Sequence, residues 1–513
     1  MKRLPSLSLT TIWLLLPITL VVWSTLLDPL RRLDFWWHLK VGELILTSGH
    51  IPATDIFSFT EYGKAFAHPN WLAEVLFYGL WRIGGLELLV LFNTVVISTA
   101  FLIVYRTAYL PTIPSRAVAA IMLVVAFSFA LYSNLRTQIF SFVLLALFLF
   151  ILWNYRAQRH TALIWLLPVL MAVWVNVHGA FIIGLITLVI FLVSESVRYR
   201  LERSRASTSA LLPLSALYRL AMVVGLTLVA TLINPYGVDI YRYVQQVGAD
   251  PSSQTFVIEW QTPRISNIEH FLSFFLPFFS AILIFIYSQR RLDLAELGIF
   301  LCFSAFGLTS ARNGIWFVIA VMPIAAWHLP NIPALATLLQ ARQPEAGATR
   351  PSWLANAINW LLLIALGATT VLFSPWVRPH VGIAALRPSL IDPAIPVAAF
   401  EYIEQAGITG RMFHHQDFGD YLIWRLWPQQ YTFIDGRVHL FSYQIVNDYL
   451  QTLNGTDWEA IMDKYGIAYI FLPKPVQTDE ADLPILHELQ HSSRWALMYE
   501  DDKSVIYKKV ANN

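Results

Sequence analysis

The stretch DFWWHLKVGELILTSGHIPATDIFSFT (residues 34–60) decides how the rest of the chain is read. It follows an apolar run, TIWLLLPITLVVWSTLLDPL (11–30), that reaches the roughly 20 residues needed to cross a bilayer. The stretch itself is too polar to cross and too apolar for a solvated loop. Residues 35–46 read as a short helix ended by Gly49, with Trp36, Trp37, Leu39 and Val41 suited to the membrane–water interface. Next, HPNWLAEVLFYGLWRIGG (68–85) reads as a second amphipathic helix over 71–82. Asn70 is placed to cap it, Glu74 sits in its first turn, and Gly84 lies past its end. The loop 28–84 is therefore expected to hold two interfacial helices.

Composition supports a membrane setting. Of 513 residues, 57% are hydrophobic and 13% charged, and the mean hydropathy is +0.56. A soluble domain carries about 25% charged residues, so much of this surface is expected to face lipid. The net charge of +2 gives no reason to expect a nucleic-acid partner. The single cysteine, Cys302, lies in an apolar run, so no disulfide can form within the chain.

Further apolar runs place spans near 11–27, 85–105, 116–133, 138–154, 162–176, 179–196, 218–234, 270–288, 293–310, 314–329 and 357–375. The first reads as an uncleaved span, because no small-x-small cleavage site follows it. Basic residues test the count, since cytoplasmic loops are enriched in Lys and Arg. Lys2 and Arg3, then Arg106 and Arg116, Arg156 and Arg159, the group Arg198, Arg200, Arg203 and Arg205, then Arg290 and Arg291, and finally Arg342 and Arg350 all fall in alternate loops. The other loops are short or mixed in charge. About eleven spans then put the N-terminus in the cytoplasm and the C-terminal tail on the opposite face.

From 377 the composition turns globular. QYTFIDGR (430–437) and IAYIFLP (467–473) read as strands, whereas IPVAAFEYIEQAG (395–407) and DWEAIMDKYG (457–466) read as helices, the latter opened by an Asp457 cap. The expected architecture is an all-α polytopic membrane domain over 1–376, followed by an extracytoplasmic α/β domain over 377–513.

The polar residues at the non-basic span ends share one face. Asp34, His38, Asp55, His68 and Asn70 lie in the first loop. Arg136 lies in SNLRTQ, Asn176 and His178 in WVNVHGAF, Asn234 and Tyr236 in INPYG, and Arg312 in SARNGIW. Polar groups so near hydrocarbon often line a functional cavity. Arginine offers a planar fork for phosphate, so the set suits an anionic ligand whose tail stays in lipid. No Gly-rich phosphate loop and no HExxH is present, and the histidines lack metal-ligand spacing.

These motifs, with DFGDYLIWRLWP and FIDGR in the tail, resemble the GT-C superfamily of integral membrane glycosyltransferases. That superfamily includes the protein O-mannosyltransferases and the aminoarabinose transferase of lipid A. The similarity is strongest to a group of bacterial multi-span proteins, and it covers nearly the whole chain. It implies a polyprenyl-phosphate sugar donor bound from the lipid side, a lipid, glycan or protein acceptor on the outer face, and a bacterial inner membrane. It also implies an acidic residue heading the first loop as catalytic base or contact to a divalent cation. Asp34 fits that position best, with Asp28 second. Superfamily members often carry two adjacent acids, whereas Phe35 follows Asp34 here.

On this reading Asp34 is the base, as the chemistry of hydroxyl activation requires. His38, Asp55, His68, Asn70, Arg136, His178, Asn234, Tyr236 and Arg312 bind substrate. Asp435 and Arg437 in the tail read as a buried pair. The competing readings are a lipid-linked-sugar binding or translocating protein, and a non-catalytic cell-envelope assembly protein. A translocator needs polar groups through the midplane, and the spans carry almost none.

Overall fold

The computed structural model describes residues 7, 9–31, 34–110, 113–203, 211–335, 353–383, 386, 389–474 and 483–510. Lys2, Arg3, Arg205, Arg342 and Arg350 lie outside the described residues. The chain forms two compact units. The first comprises Met1–Asp28, Leu86–Ile240 and Ile258–Pro388; the second comprises Pro29–Gly85, Tyr241–Val257 and Ser389–Asn513. The first loop thus groups with the tail, whereas the sequence reading had assigned 28–84 to the span domain.

The first unit is helical. Among the described residues six helices are long and apolar enough to cross a membrane, one of them, Trp71–Ala108, starting in the second unit, and five shorter apolar helices accompany them: Thr11–Leu27, Ser115–Leu131, Thr161–Val177, Leu214–Ala230 and Leu294–Thr309. These eleven coincide with the spans drawn from the sequence. Helix Gly314–His328 is buried along its whole length. It packs against Ser115–Leu131, Ile139–Arg156, Leu276–Tyr287 and Leu294–Thr309, as expected of a helix that is apolar on every side. Helix Trp353–Leu372 is the opposite case, burying only Asn359 among its residues, which leaves an apolar surface suited to lipid.

Helix Trp71–Ala108 is interrupted at Gly84 and Gly85, and Gly85 has φ 64° and ψ −158°. That conformation suits glycine. The break separates an amphipathic segment from the following span, as Gly84 past the end of the first segment predicts, and the boundary between the two units falls there.

The second unit is α/β. Its sheet runs β1 (Met412–His414), β2 (Tyr469–Pro473), β4 (Ser504–Lys509), β3 (Trp495–Glu500). Strands β1 and β2 are parallel and the other pairs antiparallel. Helices Val397–Gln405 and Trp458–Tyr465 form where expected. Asp457 does not cap the latter: it adopts φ 47° and makes no capping bond. Residues 430–437 form no strand. They bend beside the first loop and make one parallel bridge to it, in which Thr432 donates its N–H to Phe57 O (2.9 Å) and accepts from Phe59 N–H (3.1 Å).

One hydrophobic core joins loop and tail. Trp37, Val41, Ile45, Phe57 and Phe66 from the loop pack with Phe413, Phe433, Ile434 and Leu472 from the tail. The loop's tryptophans are therefore core residues: Trp36 is 1% exposed and Trp37 7%. Trp36 meets Tyr421 of helix Gln416–Leu426 edge-on at 4.8 Å. Their amphipathic spacing is satisfied by protein rather than by the interface inferred from sequence.

Candidate active site

Within the second unit, Asp34 immediately precedes helix Phe35–Ser48 and does not cap it. Its negative charge reaches Asp420 on helix Gln416–Leu426. Asp420 is 3% exposed and accepts the Gly436 N–H at 2.8 Å. Burial, and then the adjacent Asp435, push the Asp420 carboxyl well above the usual carboxylate range.

His38 and His68 converge on a carboxylate that the sequence reading treated only as a helix-start residue. His38 Nδ1 donates to Glu74 Oε1 at 2.7 Å, and His68 Nδ1 lies 3.7 Å from the same oxygen. All three are buried. Burial raises the Glu74 carboxyl, but the hydrogen bonds and charges of the two histidines outweigh it and hold it below its ordinary value. The helices carrying His38 and Glu74 touch at Gly42, where a Cβ would lie 2.0 Å from Glu74 O. Asn70 does not cap the second helix. Its Oδ1, like Glu74 Oε2, is buried with no hydrogen-bond partner among the described residues.

Asp55 is 1% exposed and belongs to an ionic triad. Arg437 donates from Nη1 to Asp55 Oδ1 (2.7 Å), from Nε to Asp435 Oδ1 (2.9 Å) and from Nη2 to Asp435 Oδ2 (2.7 Å). All three side chains are fully buried, and the rings of Phe57 and Phe66 cover the guanidinium at 5.0 and 5.2 Å. Asp55 is a structural ligand of Arg437, and the tail's Asp435 and Arg437 form the buried pair expected.

Within the first unit the remaining candidates gather at one end of the helices. Arg136 Nη1 donates to Glu259 Oε2 at 2.7 Å, and Arg312 Nη1 lies 3.7 Å from Glu259 Oε1. The Arg312 guanidinium stacks 4.8 Å above the Trp260 ring. Desolvation raises the Glu259 carboxyl, but Arg136 and Arg312 together bring it down to about 2. Nearby, Asn93 donates to Ser133 O (2.6 Å) and Ser133 Oγ donates to Asp28 Oδ2 (3.4 Å). Tyr132 donates its hydroxyl to Ala311 O at 2.6 Å, which ties the Arg136 and Arg312 loops together.

His178 Nδ1 accepts the Ala180 N–H (3.2 Å) and faces Ser141 Oγ at 2.9 Å. Trp174 donates to that same hydroxyl at 2.7 Å. Since Nδ1 is an acceptor, the neutral ring carries its proton on Nε2. Asn176 donates to Ile233 O at 2.6 Å. Asn234 closes a turn, accepting from Tyr236 N–H (2.7 Å) and donating to Thr231 O and Gly237 O. So INPYG is a structured turn, and Tyr236 is half-buried within it.

Among the described residues no group of three or more His, Cys, Asp and Glu is placed to hold a metal ion. Chemically, the first unit offers paired guanidiniums at the end of a helical bundle, and the second offers an acid heading a helix. Sequence reading missed Glu74, Glu259 and Asp420. Each is an isolated acid whose partners come from elsewhere in the chain.

No protein-family model and no curated protein matches the sequence. Among solved structures, the fold is similar to the archaeal oligosaccharyltransferase AglB from Archaeoglobus fulgidus, in complex with an inhibitory peptide and a dolichol-phosphate. The TM-score is 0.55 at 13% identity, over 90% of this chain and 69% of that one. The likeness is one of fold: the GT-C arrangement of apolar helices, six of which among the described residues are long and apolar enough to cross a membrane, with a small C-terminal sheet.

Proposed function

We propose that this protein is a membrane glycosyltransferase that moves a sugar from a polyprenyl-phosphate-linked donor to an acceptor hydroxyl. The single observation that carries the reading is the fold, shared over 90% of the chain with an oligosaccharyltransferase held with a dolichol-phosphate. The paired guanidiniums of Arg136 and Arg312 at one end of the helical unit support it, because phosphate is the anion their forks suit. The run of basic loops supports an orientation with the N-terminus cytoplasmic and the transfer on the outer face, and the family resemblance supports a bacterial inner membrane.

In the reaction, Asp34 takes the acceptor's hydroxyl proton. The acceptor oxygen attacks the anomeric carbon on the face opposite the phosphate, forming the new glycosidic bond with inversion. The bond from anomeric carbon to phosphate oxygen breaks, and its electron pair leaves with the polyprenyl phosphate. Fixed positive charge is a large catalytic effect at such a leaving group, and within the helical unit the guanidiniums of Arg136 and Arg312 are groups of the kind that suits a phosphate.

The test is transfer by the purified protein from synthetic polyprenyl-phosphate sugars, comparing wild type with Asp34→Asn. The expected result is donor binding retained and turnover reduced on the order of 10²–10⁴-fold, the range of a general base. Equal turnover in the two proteins removes Asp34 from the chemistry. Donor binding without turnover in either protein favours a lipid-linked-sugar binding role instead.

A further inference from the structure

Glu259 is the residue that the reading above leaves without a task. It sits on the short turn Ile258–Trp260, outside any span, and it presents one carboxylate oxygen to each arginine. The three side chains are partly accessible: 34% for Glu259, 16% for Arg136 and 20% for Arg312. A carboxylate and a phosphodiester offer a guanidinium the same thing, two acceptor oxygens in one plane of approach.

The turn's backbone is stitched down while its side chain is not enclosed. Ser310 Oγ donates to Glu259 O (2.8 Å), and Ala311 N–H donates to Gln261 O (2.9 Å). A side-chain rotation therefore moves the carboxylate away without unfolding the turn. Arg312 has a second support in the face of Trp260, and a guanidinium stacked on an indole stays placed when an anion leaves. Glu259 brings a negative charge to both guanidiniums in the resting protein, where charge close to hydrocarbon is costly.

We propose that Glu259 is the resident counterion of the arginine pair, holding in the donor-free protein the place the donor's phosphate takes, and that donor binding displaces it. The inference rests on reading Arg136 and Arg312 as partners of the donor phosphate. It makes Glu259 a competitor in donor binding and a device that keeps both forks aimed until the donor arrives. It also predicts that other anionic lipids are excluded unless their phosphate outbids a tethered carboxylate.

The experiment measures binding of a short-chain polyprenyl monophosphate to the purified full-length protein in detergent. Glu259→Gln keeps the shape and removes the charge, and it is expected to lower Kd roughly tenfold. Glu259→Asp keeps the charge on a shorter arm and is expected to give a smaller gain. Arg136→Met is the control for the underlying reading and is expected to raise Kd. Unchanged or weaker binding in both Glu259 variants, with Arg136→Met still impaired, overturns the counterion role and makes Glu259 a strut of the arginines. Unchanged binding in Arg136→Met overturns the phosphate assignment itself. Thermal unfolding of each variant separates lost fold from altered binding, and the Asp variant keeps the question answerable if the Gln variant is unstable.

Discussion

Arg437 in the α/β unit and the pair Arg136 and Arg312 in the helical unit both meet carboxylates, yet the two clusters differ in burial and in the closeness of their contacts. Around Arg437, two acids enclose one guanidinium, every side chain is fully buried, and three donor nitrogens are engaged at 2.9 Å or less. Around Glu259, two guanidiniums share one acid, the second contact is 3.7 Å, and all three side chains are partly accessible. A saturated, buried cluster has nothing left to offer a ligand. A cluster whose side chains stay partly accessible does. The difference teaches that residue type alone does not mark a site; access does.

The largest effect that tests this contrast is expected at Arg437. Arg437→Met leaves Asp55 and Asp435 buried without their partner, and breaking a buried pair from one side costs about 3–5 kcal/mol. Chemical denaturation should show the loss as a lower midpoint. Arg136→Met should cost about 1 kcal/mol or less, as for accessible ion pairs, and act on donor binding instead. If the two substitutions destabilise equally, the division into structural and binding clusters is wrong.

A smaller effect is expected where the two loop helices touch. A Cβ on Gly42 meets the Glu74 carbonyl at 2.0 Å and Tyr78 Cβ at 3.0 Å. Backbone cannot give way as a side chain can, so Gly42→Ala should destabilise by about 1–3 kcal/mol, the cost of overpacking. The helices would be prised apart at the His38–Glu74 contact. Gly79, which has open space at its Cβ position, is the matched control, and Gly79→Ala should leave the midpoint unchanged or slightly raised.

The sequence made the helical unit legible because crossing a bilayer demands a long apolar run, and such a run needs no partner to be recognised. The break at Gly84 and Gly85 was legible for a similar local reason. The α/β unit was less so. The run 430–437 looks like a strand because Tyr431, Phe433 and Ile434 make a short apolar, β-favouring stretch. It instead pairs with Phe57 and Phe59 and delivers Asp435 and Arg437 to Asp55. Nothing local announces a partner 382 positions away. Trp36 and Trp37 carried a signal that fits either a membrane interface or a protein core, and only the presence of the tail decides it. Arg136 and Arg312 were visible as charges at span ends. Their shared Glu259 was not, since it stands 123 positions from Arg136 in a loop with no motif.

The subtlest expected effect concerns two neighbouring acids of the α/β unit whose titrations run in opposite directions. Burial raises Asp435, but Arg437 outweighs it and holds the group below its ordinary pKa. Its contribution is therefore present above the unfolded pKa and lost as pH falls through the folded one. Asp420 is pushed up by burial and by Asp435. Its contribution is present below the unfolded pKa and is lost as pH rises through the folded one. Asp420→Asn should therefore raise the unfolding midpoint at mildly alkaline pH and change it least in acid, because the amide oxygen can still accept the Gly436 N–H. The space is tight, since a Cβ on Gly436 would meet Asp420 Oδ2 at 2.4 Å, but Asn has the same outline as Asp. Unfolding of wild type and variant followed across pH checks the sign. A midpoint that falls at alkaline pH in the Asn variant would mean that Asp420 is ionised in the folded protein. Asp420 would then be a second carboxylate acting beside Asp34 rather than a neutral packing group.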